Sequence, residues 1–194
     1  MVKPKVFITR RWPKEAEERL KKIFEVTLNQ DDKVLSNNEI AEGFYNHDAL
    51  ACTVSDTIDE NIIKSGKTGK GKIIANFGVG FNHIDLNACK KYKIVVTNTP
   101  DILTDATADL TILLMLMISR RSKEGEFEIE NDKWAGWRPT HLLGSELSHK
   151  TLGIIGFGRI GQAVAKRAYF GFNMKIKYYN RSKKNINLSF EAEE

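Results

Sequence analysis

Apolar positions fall along the chain in short strand-like runs separated by stretches of helical spacing. Val6-Phe7-Ile8-Thr9 is a β-rich run, and Ala16, Leu20, Ile23 and Phe24 then recur at helical intervals within 14–24. Further strands are predicted at 24–28, 49–54, 73–77 and 94–97. Helices are predicted between them at 37–44, 59–65 and 84–92, the middle one closed by Gly66. The 49–54 run is apolar almost throughout instead of alternating, as expected of a strand covered on both faces of a parallel sheet. Five strands linked by helices predict a doubly wound α/β unit ending near Pro100.

The most hydrophobic helix is predicted next, at 105–119. Thr104 is its expected N-cap, and Asp105 suits the positive end of its dipole. Across 120–150 the periodicity lapses, and Trp134, Gly136, Trp137, Pro139 and Gly144 stand among charges. This stretch reads as an extended arm. Its tryptophans fit either a partner surface, such as a second subunit, or local packing. The regular pattern then restarts with a strand at 151–155, a glycine-rich turn, a helix at 162–170 and a strand at 174–179.

Composition narrows the class. With 41% hydrophobic and 28% charged residues in 194, the chain can bury a core and is neither a disordered tail nor a membrane protein. Thirty Lys and Arg against 25 Asp and Glu give a net charge of +5, but the charges are scattered. No aromatic-interleaved basic patch is present, so no nucleic-acid partner is expected. The longest apolar run, 110–118, is far below the ~20 residues of a membrane span, and the N-terminus lacks a signal-like stretch. Two cysteines, Cys52 and Cys89, make no disulfide framework, so a cytoplasmic location is expected. No metal is expected.

Gly156, Gly158 and Gly161 follow G-x-G-x-x-G between a strand and a helix, with a second strand after them. That context is what a dinucleotide fold requires. Gly156 permits the tight turn, Gly158 lets backbone approach a pyrophosphate, and Gly161 lets helix and strand pack closely. Free amides and the helix dipole then attract phosphate. The alternative is a turn serving helix–strand packing alone. About twenty residues on, an NAD site would carry Asp or Glu for the ribose 2′-OH. Asn180 stands there instead, followed by Arg181, Ser182, Lys183 and Lys184. Three cations and a hydroxyl suit a 2′-phosphate, so NADP(H) is the expected cofactor, with NAD(H) possible. The alternative is a solvated basic loop.

Three segments in order now resemble one family, the D-isomer-specific 2-hydroxyacid dehydrogenases. They are Asn76-Phe77-Gly78-Val79-Gly80-Phe81-Asn82-His83-Ile84-Asp85, the stretch from Val96-Thr97-Asn98-Thr99-Pro100 through Leu103-Thr104-Asp105-Ala106-Thr107-Ala108-Asp109, and the 151–165 fingerprint. Trp134-Ala135-Gly136-Trp137-Arg138-Pro139 and Tyr179-Asn180-Arg181-Ser182 look most like its glyoxylate/hydroxypyruvate reductases. The resemblance covers essentially the whole chain. It implies a flavodoxin-like parallel-sheet substrate domain at 1–100. The first part of a Rossmann dinucleotide-binding domain would follow at 101–194, including a dimerisation arm at about 120–150.

The resemblance also implies roles. The Val79 and Gly80 amides would hold the carboxylate of a small 2-keto or 2-hydroxy acid. Gly158, Arg159 and Ile160 would line the pyrophosphate, 181–184 would surround the 2′-phosphate, and Thr104 would lie near the nicotinamide. The arm would embrace a second copy in a homodimer, with Trp137 reaching the neighbour's substrate site. Reducing a keto acid also needs a proton donor and a cation. In the family these are an Arg, a Glu and a His, expected beyond Glu194, so a C-terminally truncated chain, inactive alone, is anticipated. His47, His83, His141 and His149 have no carboxylate partner by spacing and read as surface or packing residues. A Rossmann sheet would be left with two strands. The competing reading is a non-catalytic dinucleotide-binding module or sensor.

Overall fold

The computed structural model describes residues 2–182 and 188–194. The chain forms two compact units, Met1–Pro100 and Asp101–Glu194.

The first unit runs β1 (Lys5–Ile8), α1 (Lys14–Ile23), β2 (Glu25–Leu28), α2 (Asn37–Asn46), β3 (Ala49–Thr53), α3 (Glu60–Thr68), β4 (Ile73–Phe77), α4 (Leu86–Tyr92) and β5 (Val95–Thr97). Its five strands are all parallel, in the order β2-β1-β3-β4-β5. This is the flavodoxin-like order. Leu50, Cys52 and Ile74 meet Ile40 and Phe44 of α2, Ile62 and Ile63 of α3, and Ala88 and Cys89 of α4 in one core. Val6, Ile8 and Ala51 form the opposite face with Leu20 and Phe24 packed against them. Each fully buried large aliphatic contributes about 1.5–3 kcal/mol. Local signals set the helix starts. Ser36 and Glu39 form a reciprocal capping box on α2, and Asp59 and Asp85 cap α3 and α4 through the amides of Ile62 and Ala88.

Gly66 does not close α3. The helix continues to Thr68 with Gly69 as its cap, and Gly66 lies inside it, where a Cβ would come within 2.3 Å of the Phe44 ring. The glycine is a notch for helix–helix approach, not a stop signal.

The second unit runs α5 (Thr104–Ser119), α6 (Ser122–Glu130), β6 (Thr151–Ile155), α7 (Arg159–Phe172), β7 (Lys175–Tyr179) and β8 (Ala192–Glu193). Among the described residues its three strands are parallel in the order β6-β7-β8. Three expectations are corrected here. Thr104 is the first residue of α5, and the cap position is Leu103, with no side-chain cap bond. The 120–150 stretch, where the periodicity lapses, carries a regular helix, α6, in its first part. The sheet has a third strand, β8, where two strands were expected.

Phe157, Ala165, Ala168, Met174 and Ile176 form the core of this unit, with Ile112 and Met115 of α5 packed against it. Of α5 only Ala108 is fully buried, and Leu113, Leu114 and Ile118 are about half exposed or more. Among the described residues no helix is long and apolar enough to cross a membrane.

Candidate functional site

The predicted site residues fall into two turns, one in each unit. In the first unit the turn follows β4. Asn76 is a polar residue in an otherwise apolar strand and is 2% exposed. Its Nδ2 donates to the carbonyls of Gly78 (3.2 Å) and Gly80 (2.8 Å). Its Oδ1 accepts from His83 Nε2 (3.0 Å) and from the Cys52 thiol. Asn98, just past β5, donates to the Val79 carbonyl at 2.9 Å, and the Thr99 amide donates to Gly78. Three consecutive carbonyls, at 78, 79 and 80, are thus engaged. Among the described residues the Val79 and Gly80 amides donate to nothing. A Cβ at Gly80 would meet no atom within 4 Å, so open space lies beside it, whereas at Gly78 it would meet Val54 at 2.5 Å. Free amides beside open space suit an anion.

His83 lies next to this turn, but its Nε2 is spent on Asn76. Burial pushes its imidazole below the ordinary value, against a weaker upward pull from Asp56. Asp56 is itself buried and ties β1 to β3, accepting from Thr9 Oγ1 (2.6 Å) and the Thr53 amide (2.8 Å). Neither cysteine is placed to act as a nucleophile. Burial pushes Cys52 up to about 12 and Cys89 up to about 11.

The second turn joins β6 to α7. Gly156 has φ +94°, a conformation that favours glycine, and its amide donates to the Tyr179 carbonyl at 2.8 Å. A Cβ on Gly161 would come within 2.4 Å of the Gly156 carbonyl oxygen, so this glycine permits the close helix–turn approach. Among the described residues, a Cβ at Gly158 would meet nothing within 4 Å, which leaves open space at the start of α7. Gly158 is the cap of α7 and, among the described residues, no side chain caps the helix, so its first amides, including those of Arg159 and Ile160, have no intrahelical partner. Phe157 is fully buried and stacks on Tyr178 at 4.0 Å, anchoring the turn from beneath.

The Arg159 guanidinium is paired with Asp101 at 2.6 Å, so its backbone and not its side chain faces the turn. Asn180 accepts from the Phe157 amide (3.3 Å) and donates to the Ser182 carbonyl (2.8 Å). It therefore links the glycine turn to the following loop. Arg181 and Ser182 are exposed, and Lys183 and Lys184 lie outside the described residues. Thr104 is half-buried, its amide donating to the Asp101 carbonyl.

Two features escaped sequence reasoning. Asn76 and Asn98 organise the first turn, and their one signal was an amide side chain inside an apolar strand and at a strand end. His141, read as unpaired, donates from Nε2 to Glu128 Oε2 at 2.7 Å and accepts from Arg138 at Nδ1 (2.8 Å). That pairing depends on α6, which sequence periodicity did not reveal. Trp134 and Trp137 are exposed, Trp137 by 80%.

Comparison with known proteins places this geometry. Residues 6–191 match the family model of the D-isomer specific 2-hydroxyacid dehydrogenase catalytic domain. The glyoxylate reductase of Thermococcus litoralis is 44% identical over 187 residues, covering 94% of this chain and 56% of that enzyme. The glycerate dehydrogenase of Hyphomicrobium methylovorum is 40% identical over 202 residues, covering 99% and 60%. Among solved structures, the TT0316 protein of Thermus thermophilus matches with a TM-score of 0.87 at 39% identity, covering 97% of this chain and 59% of that one. The Aquifex aeolicus D-lactate dehydrogenase, complexed with NAD and lactic acid, matches at 0.74 and 26% identity, covering 93% and 52%. The chain spans somewhat more than half the length of the relatives it matches. With a family match along nearly its full length, the chain belongs to the D-isomer specific 2-hydroxyacid dehydrogenases.

Proposed function

We propose that this chain contributes the substrate-carboxylate turn and the dinucleotide turn of an oxidoreductase that reduces a small 2-keto acid, such as glyoxylate or hydroxypyruvate, to the 2-hydroxy acid. The observation that carries the reading is the pair of unengaged amides at Val79 and Gly80 beside open space, in a chain that also builds a glycine turn at the start of α7. A carboxylate accepting two backbone N–H bonds is held without a cation and in a fixed orientation.

The residues of the second turn fit a nicotinamide dinucleotide, because Gly158 leaves the space a pyrophosphate needs and the α7 amides carry no side-chain cap. When bound, that cofactor supplies the hydride. Gly156, Gly158, Gly161 and the amides of Arg159 and Ile160 would hold its phosphates. Asn180 would fix the loop in which Arg181 and Ser182 meet the adenosine end. With no carboxylate at that place, NADP(H) is the favoured form and NAD(H) the second. Thr104 is assigned to the nicotinamide side by family resemblance alone. A homodimer is proposed on the same ground.

The chemistry also needs a proton donor at the carbonyl oxygen and a cation beside it. His83 is not that donor here, since its Nε2 is bonded to Asn76. The two units are proposed as the N-terminal part of the substrate domain (1–100) and part of the cofactor domain (101–194).

The test has two arms. Titrating this chain with NADPH and NADH by fluorescence is expected to give tighter NADPH binding, and equal or tighter NADH would overturn the preference. Fusing the chain to the remaining segment of the Thermococcus litoralis glyoxylate reductase is expected to give NADPH oxidation with glyoxylate or hydroxypyruvate. A folded fusion that binds NADPH and turns over neither acid would overturn the activity and favour the non-catalytic binding module.

A further inference from the structure

We propose that Asn76 is a positioning residue that aims the amides of the 78–81 turn at the substrate carboxylate, an inference that rests on the reading of that turn given above. The peptide bonds here are trans, so each carbonyl and the amide that follows it point in opposite directions. Holding a carbonyl therefore fixes where the next N–H points. Asn76 holds the carbonyls of Gly78 and Gly80, and so sets the amides of Val79 and Phe81. Asn98 holds the carbonyl of Val79, and so sets the amide of Gly80. Neither side chain would touch the substrate. Each turns a carbonyl, which would repel a carboxylate, away from it and presents an N–H in its place.

The orientation of Asn76 is itself determined. Its Oδ1 receives His83 Nε2 and the Cys52 thiol, and its Nδ2 spends both hydrogens on the two turn carbonyls. Rotating the amide by half a turn would set Oδ1 against two carbonyl oxygens and Nδ2 against an N–H donor. The side chain is 2% exposed, so water cannot replace these bonds cheaply. His83 and Cys52 thus act one step further back, as the groups that keep Asn76 facing the turn. Gly80 leaves open space where the ligand would sit, and Gly78, tight against Val54, keeps the start of the turn from shifting.

The test uses the chain itself, with glycolate as the probe and amide NMR as the readout. In the wild type, glycolate is expected to shift the Val79 and Gly80 amide signals saturably. Asn76→Ala removes both donors without adding charge, and is expected to weaken glycolate about ten-fold, the loss of one well-made hydrogen bond or slightly more. Before any glycolate is added, this variant is expected to move the Val79 and Phe81 signals more than that of Gly80, which Asn98 still holds. A general loosening of the fold would not single out those two. Asn76→Asp keeps the shape and an acceptor for His83 but loses the donors, and serves if the alanine variant does not fold. Wild-type glycolate affinity in either folded variant would overturn the inference. A wild type whose Val79 and Gly80 signals do not respond to glycolate would overturn the reading of the turn itself.

Discussion

Arg167 on α7 reaches Asp109 on α5, its Nε lying 2.6 Å from Asp109 Oδ1, and the same guanidinium donates to Asp105 at 3.0 Å. One cation thus bridges two successive turns of the facing helix, on which Ala108 is buried. The carboxylates are largely exposed, so the bridge contributes little, about 0.5–1 kcal/mol. Arg167→Met is expected to lower the thermal midpoint of the second unit by about 2–8 °C in low salt. The difference should shrink in 1 M NaCl, where such pairs are screened. Differential scanning calorimetry at the two salt concentrations checks both parts.

The glycines of the second turn separate stability from binding. At Gly161 a Cβ meets the Gly156 carbonyl oxygen, so Gly161→Ala must push helix and turn apart. At Gly158 a Cβ meets only open space. Gly158→Ala is expected to melt like the wild type, while NADPH affinity falls at least about ten-fold because the methyl occupies phosphate space. Gly161→Ala is expected to lose stability and affinity together. Melting curves with and without NADPH read both effects in one experiment.

The two cysteines report unfolding. With Cys52 pushed up to about 12 and Cys89 up to about 11, almost no thiolate is present at pH 8 in the folded chain. Reaction with a disulfide reagent at that pH is expected to be slow, and to accelerate by orders of magnitude in guanidinium. Rapid labelling of either thiol in the native chain would contradict their placement in the core.

Acid should loosen the start of α2. Glu39 is held at about 2, below its usual 4.5, by the Ser36 amide first, then by Lys33 and the Ser36 hydroxyl. A depressed carboxylate stabilises the fold above its unfolded value, and that contribution is lost as pH falls from about 4.5 toward 2. Urea midpoints measured at pH 6 and pH 3 are expected to fall in the wild type. Glu39→Gln is expected to start lower at pH 6 and change less.

What could be read in advance followed from residues whose pattern and surroundings agree. The 49–54 run was recognisable because a strand covered on both faces needs apolar residues almost throughout, and Leu50 and Cys52 are indeed fully buried. Helix α6 was hidden because it buries no residue, so no apolar stripe marks it. Local pairs such as Arg121–Glu124 support it instead. Strand β8 is two residues long and pairs through its backbone, Ala192 opposite Ile176, which leaves almost no imprint on side-chain pattern. Gly66 was misread because a glycine near a helix end usually terminates it, and only the Phe44 ring across the helix pair gives it another use. At the candidate site, the glycines announced themselves through spacing. Asn76 did not, because its importance lies in which carbonyls it reaches, and that is a property of the folded turn.

Asn180 ties the glycine turn to the loop after β7 with a single amide group. On the proposed reading of this loop as the adenosine-end contact, cofactor preference would be hard to redesign one residue at a time. An aspartate at this position could still accept from Phe157, but its second oxygen would face the Ser182 carbonyl and drive the loop away. Exchanging Arg181 alone leaves the clasp intact and changes only the charge on the loop. A lineage moving from one dinucleotide to the other would therefore have to rebuild the loop backbone and the side chain at 180 together.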